Sequence, residues 1–383
     1  MKFEWISSDH ELIDVLAEIQ REDRYALDTE FHREKTYFPQ LALIQLKWGK
    51  QIALVDPLAV TLSQFGDLFR SSALCVVHAA QQDLEVLNYA CGTAPNKIFD
   101  TQVAAGFIGM SSPSLSTLVQ NELKVILTKG DRLTDWLRRP LTSNQCSYAA
   151  TDVEYLLSLH DILDKKLEAL GRTDWVIDAC EELRLKPAGP SSPEDAWLKI
   201  KEVRTLKGTA RGVAQSLGHW REVRAMSANI PPRRVLSDMA LLGIAQAQPQ
   251  NSEELFRARG VEQRQLGAEM TREVLAAVAQ GVGQDVKFPV ADQEDVDKDL
   301  RPAVGLITAW VGELARTHQI DATLLGTRLD ILQFLRRLPN ARLAQGWRSE
   351  IVGKDIDGIL AGNMGISFDG KGGLRLVPVT NPN

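Results

Sequence analysis

Between Arg24 and Asp100 the apolar residues fall in short runs separated by polar breaks, and beyond them the period lengthens. RYALDTEF (24–31) is a short apolar run ending in polar residues, and LALIQLK (41–47) alternates as a strand does. WGK (48–50) supplies a glycine turn and QIALVD (51–56) returns, so the pattern predicts a β-hairpin. ALCVVHA (73–79) reads as a buried strand, and QQDLEVLNYA (81–90) switches to helical spacing. IFD (98–100) predicts a further short strand, with TQVAAGFIG as the helix after it. Just past Pro140, Thr142 and Gln145 fit a capping box. They open a long amphipathic helix predicted to run through CSYAATDVEYLLSLHDILDKKLEAL to Gly171. Residues 1–185 are therefore expected to form an α/β domain with a mixed sheet flanked by helices.

KPAGPSSPED (186–195) concentrates Pro, Gly and Ser and reads as a linker. Residues 196–282 then show helical periodicity with few strand signals, and Pro231–Pro232 as punctuation. Residues 283–299 form a second break; from Asp285 to Asp299 it carries six acidic and two basic residues, which suggests a solvated linker. Helical pattern returns over 300–362, and 363–383, rich in Gly, Pro and Asn, read as a frayed or strand-like tail. LGHWREVRA (217–225) and LAQGWRSEI (343–351) both set Trp-Arg among apolar residues, a weak echo that suggests two related helical modules.

Composition narrows the class. A chain of 383 residues implies two or three domains. With 44% hydrophobic and 25% charged residues, it falls outside the disordered, collagen-like and disulfide-scaffold classes. No stretch approaches the roughly 18 apolar residues that span a bilayer, and the N-terminal twenty residues lack an apolar signal core. Cys75, Cys91, Cys146 and Cys180 show no C-x-x-C spacing, so neither zinc nor a disulfide framework is indicated and a reducing cytoplasm fits. The net charge of -6 gives no global pull toward nucleic acid. Regionally the picture differs: from Trp197 to Arg234 nine basic residues face two acidic ones, a patch suited to phosphates.

Candidate chemistry lies in scattered carboxylates. Asp28 and Glu30 sit two apart in a predicted strand and so share a face. Two carboxylates there need a cation or protons to neutralise them, and hard divalent ions such as magnesium or manganese take oxygen ligands. Asp83 falls in the first turn of the helix after strand 73–79, at the rim where ligands of open sheets bind. Tyr148 and Asp152 are one helical turn apart, so the hydroxyl can orient a water beside a carboxylate. Each pattern alone also fits a plain role: a solvated strand end, a carboxylate complementing a helix dipole, a chance pair. Their order along the chain, D-x-E, then D, then Y-x-x-x-D, is much rarer than any part.

The runs LDTEFHREKTYFPQLALIQL, VVHAAQQDLEVL and CSYAATDVEYLL closely resemble the three exonuclease motifs of the DEDDy class, and most closely those of the ribonuclease D family. FDTQVAA and DWLRRPLTSNQCSYAATDV extend the resemblance. WREVRAMSANIPPRRVLSD resembles a helicase-and-ribonuclease-D C-terminal (HRDC) domain, with LLGTRLDILQFLRRL and GWRSEIVG a weaker match to a second copy. GMSSPSLSTLV departs from the family, which usually carries Gly-Tyr before the Leu; no catalytic position is touched.

This resemblance implies a ribonuclease H-like exonuclease domain followed by two all-α HRDC-type domains. It implies two divalent ions, Mg2+ or Mn2+: Asp28, Glu30 and Asp152 binding one, Asp28 bridging to a second that Asp83 supports, and Tyr148 positioning the water. Ions roughly 4 Å apart stabilise both attacking and leaving oxygens of an in-line displacement. Hydrolysis would release nucleoside 5′-monophosphates from an RNA 3′ end, with tRNA precursors as the expected substrates and a monomer as the expected state. His78 and Gln45, polar and near strand ends, are candidates to touch the terminal nucleotide; Trp136 and Arg139 are candidates for packing and capping. In the basic stretch, Arg221, Arg224, Arg233 and Arg234 are candidate RNA contacts, with Trp220 expected as a core anchor. A DNA 3′ exonuclease and a non-catalytic RNA-binding adaptor are the alternatives to be separated.

Overall fold

The computed structural model describes residues 2–127, 134–186, 189, 192–288 and 300–379. Most of the predicted acidic linker, the middle of the 186–195 linker and the last four residues of the tail lie outside them.

The N-terminal part is a six-stranded mixed sheet in the order β1-β4-β3-β2-β5-β6. The strands are β1 (Glu4–Ile6), β2 (Arg24–His32), β3 (Gln40–Trp48), β4 (Gln51–Val55), β5 (Leu74–Val77) and β6 (Ile98–Asp100). β3 pairs antiparallel with β2 and β4, while β1–β4, β2–β5 and β5–β6 are parallel. Gly49, at φ +48°, closes the β3–β4 hairpin where the sequence placed its turn. β1 is an addition: three residues give too little periodicity to read. β3 departs from simple alternation, since Leu41 through Leu46 are all buried. Both faces of the sheet are covered, so a central strand is apolar on both sides.

The predicted helix from Thr142 to Gly171 is two helices, Ser143–Glu154 and Leu156–Ala169, joined at Tyr155 (φ -101°, ψ -5°). The break carries no Gly or Pro, so periodicity runs through it unmarked; packing imposes the bend. The capping box at Thr142 and Gln145 is present.

The two helical segments behave differently. Residues 197–278 build their own hydrophobic core around Trp197, Leu217, Leu241 and Val274. Its central helix Thr209–Ala228 packs on Ala268–Gly281, and the backbones meet at Gly212 and Gly281. A Cβ on Gly212 would lie 2.4 Å from the Gly281 carbonyl, so no larger residue fits.

Residues 304–356, expected as a second module, share the hydrophobic core cluster of the sheet domain. Trp347 stacks on Trp175 with ring centroids 4.9 Å apart and meets Phe107 edge-on at 5.3 Å. The Asp321 amide donates to the Gly106 carbonyl at 2.8 Å. Arg172 bridges the carbonyls of Phe107 and His318 at 2.6 Å each, and Glu182 pairs with both Arg342 and Arg348. The segment's apolar face meets Phe107 and Trp175 of the first domain. The tail is strand, not frayed: β7 (Met364–Phe368) and β8 (Leu374–Pro378) form an antiparallel hairpin.

Candidate active site

Asp28 and Glu30 project from one face of β2, in register with Gln45 and Leu43 of β3, and a bulge follows Glu30. Asp83 sits in the first turn of the helix Gln81–Cys91, just beyond the end of β5. Thr29, between the two β2 carboxylates, donates its hydroxyl to Asp83 and so ties that helix to the strand. Tyr148 and Asp152 come from Ser143–Glu154, which packs across β2, β3 and β4.

A cavity of about 400 Å³ opens between these elements, walled in part by Asp28, Glu30, Tyr148 and Asp152, with His78 beside them. Asp83 is not part of the cavity wall and is buried, 9% exposed, close enough to Asp28 for the two charges to interact. The carboxylates sense one another. Burial, then Asp83, Asp152 and Glu30 in that order, hold the Asp28 carboxyl well above the usual carboxylate range. Burial pushes Asp83 up to about 6, against the stabilising Thr29 hydrogen bond. Among the described residues no Lys or Arg lines the cavity. Among the described residues no three His, Cys, Asp or Glu side chains are already drawn into ligating geometry. Carboxylates with no cation between them repel.

Two residues outside the sequence reading hold this arrangement. Asp100, fully buried, accepts hydrogen bonds from the backbone amides of Ala79, Ala80, Gln102 and Val103 at 2.8–3.2 Å. It thereby fixes the turn before the Asp83 helix, where Ala79 takes φ +56°. Its signal was present: an Asp immediately before a helix is a cap. Thr29 gave no signal, because its role depends on the parallel pairing of β2 with β5.

The remaining candidates divide. His78 lines the cavity, its Nδ1 2.9 Å from Thr101 Oγ1, and burial lowers its pKa, leaving the ring neutral near pH 7. Gln45 is a correction: it is fully buried and absent from the cavity wall, so it does not reach a bound nucleotide. Arg221 is another, at 4% exposure and committed to Asp238 and the Leu236 carbonyl. Arg224 Nη1 donates to both carboxylate oxygens of Glu273, which also accepts from Trp220 Nε1, so Arg224 is engaged within the fold. Trp220 packs against the helical core. Arg233 and Arg234 are exposed, Arg233 leaning on Asp238. Trp136 is buried with its ring 6.1 Å from that of Tyr148. Arg139 clamps Asp56 through two 2.7 Å bonds, fixing the approach to the Tyr148 helix.

A mixed sheet with an acidic cleft beside its parallel strands, followed by a small helical domain, defines a 3′-5′ exonuclease with an accessory module. A 3′-5′ exonuclease family matches residues 3–168, and the HRDC domain family matches residues 210–278. Ribonuclease D of Acidiphilium cryptum is 32% identical over 90% of each chain, and that of a Jannaschia species is 32% identical over 96% of this chain and 97% of its own. The crystal structure of Escherichia coli RNase D superposes with a TM-score of 0.85 at 30% identity, covering 94% of this chain and 99% of that one; it is described as an exoribonuclease involved in structured RNA processing. The chain belongs to the ribonuclease D family and is a hydrolytic 3′-5′ exoribonuclease. Exonucleases of this family are metal-dependent. No helix among the described residues is long and apolar enough to cross a membrane.

Proposed function

We propose that this exoribonuclease trims the 3′ ends of tRNA precursors and other small structured RNAs by a two-ion mechanism at the carboxylate cavity. One observation carries the reading: burial, together with three other carboxylates that include two from distant stretches of chain, holds Asp28 protonation-prone, in a cavity whose described lining includes no Lys or Arg. Such a donor set suits hard divalent cations, Mg2+ or Mn2+. Asp28, Glu30 and Asp152 would hold one ion, and Asp28 with support from Asp83 a second. When bound, the ions acidify water and stabilise the charge that develops on attacking and leaving oxygens.

The residues of the chain do the rest. Tyr148, a helical turn from Asp152, orients the water whose oxygen attacks the terminal phosphorus. The bond from phosphorus to the 3′-oxygen breaks, that oxygen takes up a proton, and a nucleoside 5′-monophosphate leaves. Asp100 and Thr29 keep Asp83 in place throughout. His78 contacts the terminal nucleotide from the wall, and Arg233 and Arg234 meet phosphates upstream. The protein acts as a monomer in the cytoplasm, a setting that its four buried, free cysteines suit.

Incubating the protein with a 3′-extended tRNA precursor, with and without Mg2+ or Mn2+, tests this directly. Stepwise shortening with release of 5′-monophosphates is expected only with the cation. Asp28→Asn should reduce hydrolysis by orders of magnitude while RNA affinity stays within a few-fold. Equal turnover of a matched DNA oligonucleotide would argue against RNA as the dedicated substrate.

A further inference from the structure

The loop between β2 and β3 starts three residues beyond Glu30 and is anchored on both sides. Toward the catalytic side, Arg33 pairs with Glu85, and the Phe38 ring packs on Tyr89 with centroids 5.0 Å apart. Glu85 and Tyr89 lie one turn apart on the helix that carries Asp83. Toward the HRDC domain, Tyr37 donates its hydroxyl to Glu222 at 2.6 Å, and the backbone amides of Tyr37 and Phe38 both donate to Asn229 Oδ1 at 3.1 Å. Glu222 is buried, 4% exposed, so its carboxylate depends on partners within the protein. Asn229 caps the helix Thr209–Ala228 in the left-handed region at φ +48°, a conformation Asn tolerates. The linker adds to the seat: a Cβ on Gly189 would lie 2.2 Å from the Tyr89 hydroxyl, so that glycine lies directly against the tyrosine.

A seven-residue segment thus connects the HRDC domain to both carriers of acidic side chains, the strand of Asp28 and Glu30 and the helix of Asp83. We propose that Tyr37 and Asn229 are positioning residues for the hydrolytic reaction: by docking on this loop, the HRDC domain sets the spacing of β2 and the Asp83 helix, and so acts on the chemical step as well as on RNA binding. The inference rests on the carboxylate cavity being the hydrolytic site. It assigns the HRDC domain a role that a basic surface alone does not require. Two amides converging on one acceptor, with a third bond from a tyrosine, hold a short loop in one register.

The test separates chemistry from binding. Asn229→Gly keeps the left-handed backbone and removes the shared acceptor; Tyr37→Phe keeps the ring contacts and removes the hydroxyl bond. Each full-length variant is assayed by single-turnover hydrolysis of a 3′-labelled RNA oligonucleotide at saturating protein with Mg2+, and its affinity for the same RNA is measured in EDTA. Expected is a roughly tenfold fall in saturating rate for Asn229→Gly and about threefold for Tyr37→Phe, with affinity within about twofold. A saturating rate unchanged in both variants overturns the proposal, whether or not affinity weakens, because docking then serves RNA capture or stability alone. Should Asn229→Gly fail to fold, Tyr37→Phe decides by itself. If the wild-type protein hydrolyses no RNA with the cation present, the site reading itself fails, an outcome distinct from a wild-type rate that the variants leave untouched.

Discussion

The two helical segments that follow the exonuclease domain look alike in sequence and differ in what they cover. Residues 197–278 close around Trp197 and need little from the rest of the chain beyond the Tyr37 loop. Residues 304–356 have no separate core: Trp347 sits between Phe107 and Trp175, and Arg348, 3% exposed, pairs with Glu182. Burial, with Arg342 nearby, depresses the Arg348 pKa to about 10, opposed by Glu182, the charge that keeps this residue tolerable where it is. Similar periodicity can therefore serve an independent module or the missing side of a neighbour. What distinguishes them is whether the aromatic anchors pair within the segment or across the chain.

The largest test of that contrast is truncation. The isolated segment 192–288 is expected to unfold cooperatively by circular dichroism. Residues 1–186 alone should expose Phe107 and Trp175, aggregate and lose metal-dependent hydrolysis. A soluble, active 1–186 fragment would break the comparison. Next in size, Trp347→Ala should destabilise the catalytic unit by about 3–5 kcal/mol, whereas Trp197→Ala should lower only the transition of the HRDC unit. Thermal unfolding followed by hydrolysis and by circular dichroism separates the two.

Only the catalytic core carries the carboxylate cluster, and pH sharpens the contrast. The folded-state pKa of Asp83 is raised, to about 6, so the folded state holds more protons than the unfolded state between about pH 6 and pH 4. Stability in the absence of divalent ions should rise as pH falls through that window, by about 2–3 kcal/mol for this group, with Asp28 acting in the same direction. Adding Mg2+ at pH 7.5 should stabilise the same transition. A midpoint that falls between pH 7 and pH 5 would contradict this. The smallest effect belongs to the HRDC surface: Arg233→Ala with Arg234→Ala should weaken RNA binding a few-fold and flatten its salt dependence by about one to two units of slope.

The sheet and the site were legible to different depths. β2 to β6 follow from runs and alternation, because burial writes period two into the chain, and D-x-E on β2 follows from the same period. The bend at Tyr155 and the fused third segment were not legible, since both are decided by what lies opposite: Leu156 turned to the cavity, Trp347 turned to Trp175. Arg221 and Arg224 show the limit for charge. A count of basic residues does not reveal that Asp238 and Glu273, from other helices, neutralise them.

The shared core has a bearing on synthesis. Chains emerge from the ribosome N-terminus first, so the carboxylate stretches are made well before Trp347, Val352 and Ile356, which join the same hydrophobic core. A product interrupted before Trp347 carries the full acidic constellation but lacks the residues that pack on Phe107 and Trp175, and is expected to hydrolyse no RNA.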